Sequence, residues 1–305
     1  MIEITNLTKN FGDFTAVNQL SFTVEPGEVV GFLGPNGAGK STTMKMLTGF
    51  LPSSSGEIKV AGLDIDEEGL AIKALMGYLP EGAPAYGDMT VLQFLEFIAD
   101  VRGLTGEFKA SRLNKVLGEM ELEAVLTKPI ENLSKGFKRR VGLAQAILHD
   151  PRVLILDEPT DGLDPNQKHH VRQLIKNLAK DKIVIVSTHI LEEVTAVCNR
   201  AIIIAKGQKI FDGTPAELQA KSSFHHAVTL ELEQAVNSVA ELEALEEVAK
   251  VSVDEMQVTV TPVNGQIIFD RVYQKVRDLG WQVSAIYSEK GRLDDIFREL
   301  TREQE

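Results

Sequence analysis

"GPNGAGKST", residues 34–42, follows without a break on the apolar run Val29-Val30-Gly31-Phe32-Leu33. Such a run reads as a buried strand, and the residues from Lys40 onward read as a helix. Between them lie Gly34, Pro35, Asn36, Gly37, Ala38 and Gly39, which have almost nothing to pack. Glycines there let the backbone curl and turn its N–H groups inward, toward an anion at the N-terminus of the following helix. The spacing G-x-x-x-x-G-K-S, carried by Gly34, Gly39, Lys40 and Ser41, points to the phosphates of a nucleotide. Lys40 is then placed to reach the β- and γ-phosphates, and Ser41, followed by Thr42, to offer a hydroxyl to Mg²⁺. On this stretch alone an ordinary glycine-rich turn stays open, so the rest of the chain must decide.

The chain has 305 residues, 43% hydrophobic and 25% charged, which is ordinary for a globular protein of about two domains. Its net charge of −12 argues against a grip on nucleic acid driven by counterion release. From Ser222 onward acidic residues outnumber basic ones two to one, which reads as a solvated surface. The single Cys198 excludes an intramolecular disulfide and fits a reducing compartment. The opening "MIEITNLTKNFG" has no basic segment followed by an apolar one, so no secretory signal is expected. The longest wholly apolar stretch, Ala201–Ala205, is far too short for the roughly 20 residues of a membrane span.

Periodicity divides the chain. The first 33 residues read as strands, with a turn at Pro26-Gly27; a helix follows from about Lys40 to Thr48, stopped by Gly49. "GEIKVAGLDI" (56–65) reads as a pair of short strands, and "MGYLPEGAPAY" as a short strand ending in a Pro/Gly loop. From Thr90, a candidate N-cap, to about His149 apolar residues recur at helical spacing. Strands return at Arg152–Pro159 and Lys182–His189, β-branched runs of the kind buried on both faces of a parallel sheet, with a helix between them from about Pro165 to Lys180. We place a domain boundary at Ser222-Ser223. Beyond it three strand-like segments alternate with helices expected near Asn237–Ala244, Gln266–Leu279 and Arg292–Leu300, a small α+β domain.

Four further motifs follow the glycine loop. "LSKGFKRR" (133–140) opens a helix in which Ser134 and Gly136 could present a hydroxyl and a bare N–H to a second anion, although Ser134 is equally a plain N-cap. "VLILDEPTDGLDP" (153–165) puts Asp157 and Glu158 at a strand's carboxyl tip, where α/β sheets bind ligands. Asp157 suits a Mg²⁺ shell and Glu158 suits polarising an attacking water. "GLDP" (162–165) by itself is a turn, and His189 in "STH" (187–189) could contact a γ-phosphate or be incidental.

Together these residues resemble an ATP-binding cassette (ABC) ATPase, over about Ile2 to Leu218. Gly34–Ser41 is similar to the family's Walker A loop and Leu133–Phe137 to its signature. Asp157 with Glu158 resembles Walker B and its catalytic glutamate, Gly162–Asp164 the D-loop, and His189 the switch histidine. Phe11 matches the aromatic that stacks on adenine. Two departures stand out: Lys135 and Phe137 in a signature that commonly reads Leu-Ser-Gly-Gly-Gln, and Glu81 of "YLPEG" where the family usually has a glutamine beside Mg²⁺. "GYLPE", "LSKGF" and "RLDDIFRELT" (292–301) resemble ATPase subunits of type-2 exporters, especially the gliding-motility-associated branch.

The resemblance implies an α/β fold, a P-loop NTPase core with an N-terminal antiparallel β part and a helical insert at about 90–149. It implies a nucleotide-binding domain over 1–221 and a regulatory or dimer-stabilising domain over 222–305. The cofactors implied are ATP and Mg²⁺, the latter held by Ser41, Glu81 and Asp157; Glu158, His189 and Lys40 are the catalytic set. The partners implied are a second copy, head-to-tail, and a membrane-spanning permease, which would hold the protein at the inner face of the cell membrane. A soluble ABC protein acting on ribosomes or DNA is the rival. Ribosome-acting relatives generally carry two cassettes and DNA-repair relatives long coiled coils, whereas this chain has one cassette, no heptad run and an acidic balance.

Overall fold

Side chains along a strand alternate between faces, so a strand apolar at every position must be covered on both. Three strands here are buried throughout: β3 (Val29–Leu33), β7 (Val153–Asp157) and β8 (Ile183–Ser187). They lie in one sheet, and the alternation sorts their residues into two cores. Val30, Phe32, Val153, Ile155, Ile183 and Ile185 enter one core; Leu154, Leu156, Val184 and Val186 enter the other.

The structure is a computed structural model that describes residues 1–236 and 238–302. It divides into two units, Met1–Gly213 and Thr214–Glu305. In the first, β1 (Ile2–Phe11), β2 (Phe14–Val24), β4 (Ser55–Val60) and β5 (Leu63–Asp64) form an antiparallel sheet in the order β2-β1-β4-β5. Its inward residues Ile2, Ile4, Leu7, Leu20 and Phe22 share a core with Met44 and Leu47 of α1 (Lys40–Leu47) and with one face of the larger sheet. That sheet adds β6 (Met76–Leu79), which follows the short helix α2 (Gly69–Leu75). Its other face is covered by the helical insert α3 (Val91–Val101), α4 (Gly106–Glu119) and α5 (Lys135–Ile147), and by α6 (Pro165–Leu178). Thr90 caps α3 as expected: its hydroxyl accepts from the Gln93 N–H while Gln93 Oε1 accepts from the Thr90 N–H.

The large sheet has the order β10-β9-β3-β8-β7-β6, with β9 (Arg200–Ala205) preceded by α7 (Leu191–Val197) and paired to the edge strand β10 (Gln208–Gly213). All its strands are parallel except β10. The sequence reading left α2, α7, β9 and β10 unassigned.

The second unit holds α8 (Pro215–Ala220), β11 (Val228–Leu232), α9 (Ala240–Glu243), β12 (Val248–Asp254), β13 (Gln257–Pro262), α10 (Phe269–Asp278), β14 (Val283–Ser288) and α11 (Leu293–Arg302). From β11 to β14 the order is βαββαβ, with an antiparallel sheet β12-β13-β11-β14, a ferredoxin-like arrangement within the α+β class expected. Val228, Leu230, Val258 and Val260 pack with Val272 and Val276 of α10. The helix expected over Asn237–Ala244 starts on a residue outside those described. The break falls after Gly213, where the sequence reading placed it after Lys221. The physical reason is that α8 packs on α11, and Ser222 Oγ accepts from the Arg292 N–H at 3.0 Å, so this stretch is anchored within the second unit.

Candidate functional site

Since β3, β8, β7 and β6 are adjacent and parallel, their carboxyl ends open on one edge of the sheet, the edge at which such sheets bind ligands. The candidates leave from it in turn: Gly34–Ser41 after β3, Glu81 after β6, Asp157 and Glu158 at the end of β7, and His189 after β8.

Gly39 is the N-cap of α1 with φ 102°, and no side chain caps the first-turn N–H groups. A Cβ on Gly39 would lie 2.5 Å from the Ala16 carbonyl, and one on Gly34 would lie 2.4 Å from the Ile204 carbonyl, so no side chain fits at either place. Uncapped N–H groups at a helix start favour an anion. Lys40 is 8% exposed, and its ammonium donates to the Gly34 and Pro35 carbonyls at 2.7 and 3.1 Å. Burial lowers its pKa, opposed by the carboxylates of Glu158, Asp157 and Glu81. Thr43, which the sequence reading passed over, ties the loop to the helix by donating to the Gly39 carbonyl.

Asp157 is 1% exposed, and its Oδ2 finds no hydrogen-bond partner. The register pairs it with Ser187, whose Oγ is also buried without one. Two orphaned oxygens side by side suit a hard cation or its bound water. Among the described residues no three His, Cys, Asp or Glu side chains converge, so Mg²⁺ here would draw on hydroxyl, phosphate and water oxygens as well.

Glu158 has φ 51°, a left-handed backbone uncommon outside glycine. Bonds from its N–H to the Ser187 carbonyl (2.9 Å) and from the Asp161 N–H to its carbonyl (3.1 Å) hold it there. That conformation presents the carboxylate to His189, which donates from Nδ1 to Oε1 at 2.9 Å. Burial pushes the Glu158 pKa up, and the hydrogen bond and charge of His189 pull it back.

Glu81 is exposed, and its charge acts on Lys40, Tyr78 and Arg139. Ser134 caps α5, accepting from the Phe137 N–H at 3.3 Å. Gly136 faces Gln167, Leu163 and Gly162, on the segment leaving β7. Phe11 ends β1, is 50% exposed, and has the Lys9 ammonium 5.3 Å from its ring centroid.

Among the buried charges that the sequence reading passed over, Arg139 and Glu193 bear on the site. Arg139 Nη1 donates to the Pro80 and Asp157 carbonyls at 3.3 and 3.5 Å, and its Nη2 lies 3.9 Å from Asp161 Oδ2, joining the loops after β6 and β7. Glu193, on the first turn of α7, accepts from the hydroxyls of Thr160 and Thr188.

The family model for "ABC transporter" matches residues 17–161. The Nod factor export ATP-binding protein I of Burkholderia lata is 38% identical over 218 residues, covering 72% of this chain and 72% of that protein. The chain belongs to the ABC transporter family. The probable multidrug ABC transporter ATP-binding protein YbhF of Escherichia coli K12 is 37% identical over 239 residues, 77% of this chain. The match spans only 41% of YbhF. Among solved structures, the dimeric ATP-binding cassette MJ0796 in a post-hydrolysis state, bound to ADP and Pi, superposes with a TM-score of 0.65 at 25% identity, covering 70% of this chain and 99% of that one. The first unit is therefore an ABC ATPase fold, as the motifs implied.

Proposed function

We propose that the chain is the ATP-binding and ATP-hydrolysing subunit of an ABC exporter. The observation that carries this is the Glu158–His189 pair, standing with the orphaned Asp157 carboxylate at the sheet edge where Lys40 lies. Glu158 polarises the attacking water, His189 steadies the γ-phosphate, and Lys40 neutralises charge developing on it. The loop Gly34–Thr42 cradles the phosphates, and Phe11, half exposed, offers a face to adenine. Asp157 and Ser41, with Glu81 at the rim, would hold Mg²⁺, whose contribution is to screen the charge of the triphosphate.

Gly136 meets the segment after β7 and Ser134 stands exposed at the start of α5, which supports a role across a two-fold axis on the nucleotide of a second copy. The dimeric MJ0796 cassette is in keeping with this. Among the described residues no helix is long and apolar enough to cross a membrane, and we assign the crossing to a permease partner. Exposed Phe50, Leu70 and Val101 rim a groove of about 830 Å³ floored by Tyr78, Gln145 and His149, and we place the permease contact there. Through it the protein sits on the inner face of the membrane, and the helical insert relays closure of the dimer. The relatives named for multidrug transport and Nod factor export support an exporter. "GYLPE", "LSKGF" and Arg292–Thr301 support the type-2, gliding-motility-like branch. The second unit we assign to regulation or dimer stability. Steady-state phosphate release from ATP tests the reading: Mg²⁺-dependent turnover is expected, and its absence contradicts it.

A further inference from the structure

Glu193 is 3% exposed, and a buried carboxylate persists only where hydrogen bonds offset its lost hydration. Its two oxygens divide their partners between two loops. Oε1 accepts from Thr160, two residues beyond Glu158; Oε2 accepts at 2.9 Å from Thr188, the residue before His189. Both threonines are buried, at 3% and 0% exposure. Thr188 is itself pinned, its hydroxyl accepting from the Ile190 N–H at 3.1 Å and its N–H donating to the Phe32 carbonyl at 3.2 Å. Arg172 of α6 brings Nη2 to 3.8 Å from Oε1.

We infer that Glu193 is a positioning residue: it clamps the loop bearing Glu158 to the loop bearing His189 and so sets the contact between those two side chains. The inference rests on the hydrolytic reading above. A water-polarising carboxylate works only when held in line, and displacement by a fraction of an ångström is costly. The bond from the Glu158 N–H to the Ser187 carbonyl joins the two strand ends at the main chain, and Glu193 ties the loops again beyond it, where His189 is largely exposed. A carboxylate suits the clamp because it accepts from two hydroxyls at once. Glutamine can accept from only one and must offer N–H to the other.

The test compares Glu193→Gln and Thr160→Val with wild type, alone and in a His189→Ala background. Each substitution is expected to lower kcat about tenfold with KM for ATP within about twofold of wild type. In the His189→Ala background the same substitutions should cost less than about twofold more, because the contact they serve is already gone. Unchanged kcat, or equal proportional losses in both backgrounds, overturns the inference while leaving a Glu158-dependent activity intact. A wild-type chain without turnover overturns the hydrolytic reading and this inference with it. Should Glu193→Gln fail to fold, Thr160→Val, which removes one hydroxyl at constant shape, carries the test unaided.

Discussion

His189 Nδ1 lies 2.9 Å from Glu158 Oε1, and the bond joins two strands' carboxyl ends. Its sign matters for catalysis. Burial raises the pKa of Glu158, and His189 is the first of the groups that lower it. In the proposed role Glu158 must be ionised to polarise water, so activity is expected to be lost as pH falls through its folded pKa. The acid limb of kcat is therefore expected above the ordinary carboxylate range. His189→Ala removes the lowering influence and should move that limb to still higher pH. A pH–rate profile of both proteins checks this; an unmoved limb in the mutant means another group sets it.

Lys40 rests on the Gly34 and Pro35 carbonyls, and burial holds its pKa down. Lys40→Ala removes a charge-assisted hydrogen bond to phosphate worth about 1.5 kcal/mol or more, roughly tenfold in affinity. A binding titration with ATP reads the loss directly. Equal affinity would dismiss Lys40 as a phosphate ligand.

How far the sequence reveals this site depends on whether a residue's neighbours are local. Gly34, Gly39 and Lys40 are legible because the glycine loop between a buried strand and a helix is followed along the chain by carboxylates and a histidine at the tips of further buried strands. Asp157 and Glu158 are legible because carboxylates ending an apolar strand mark its tip. Glu193 and Arg139 are not, since each is one charge among several in "LEEV" and "KGFKRR", and only tertiary packing turns it inward. A weak signal existed for Glu193: it stands four residues before buried Val197 on α7, whereas Glu192 is exposed. β9 is not legible because five apolar residues fit several structures, and only its place beside β3 makes it sheet; β10, with two apolar residues among six, is sheet only through its pairing with β9. The domain break was set eight residues late because α8 is tied to α11 by contacts that no local pattern announces.

That break gives a prediction of its own. A chain ending at Gly213 retains both sheets of the first unit and every nucleotide motif. It should fold and bind ATP as one ending at Lys221 does. Loss of solubility or of nucleotide binding in both would show that the second unit is required for the first.

Glu81 is the least typical candidate. Its carboxylate acts on Lys40, the residue we propose as the phosphate ligand. Attraction to Mg²⁺ and repulsion from phosphate then oppose each other. Glu81→Gln should change ATP affinity little with Mg²⁺ present and tighten it when Mg²⁺ is chelated. Identical shifts in the two titrations would leave Glu81 as loop surface.

The central claim is that Glu158 activates the water that cleaves ATP. Glu158→Gln keeps the size of the side chain and its hydrogen-bonding reach but removes the charge. Phosphate release measured beside ATP binding on the same purified protein is the most direct test. The expected result is binding close to wild type with hydrolysis lower by about 10²-fold or more. Undiminished hydrolysis in the mutant would contradict the account.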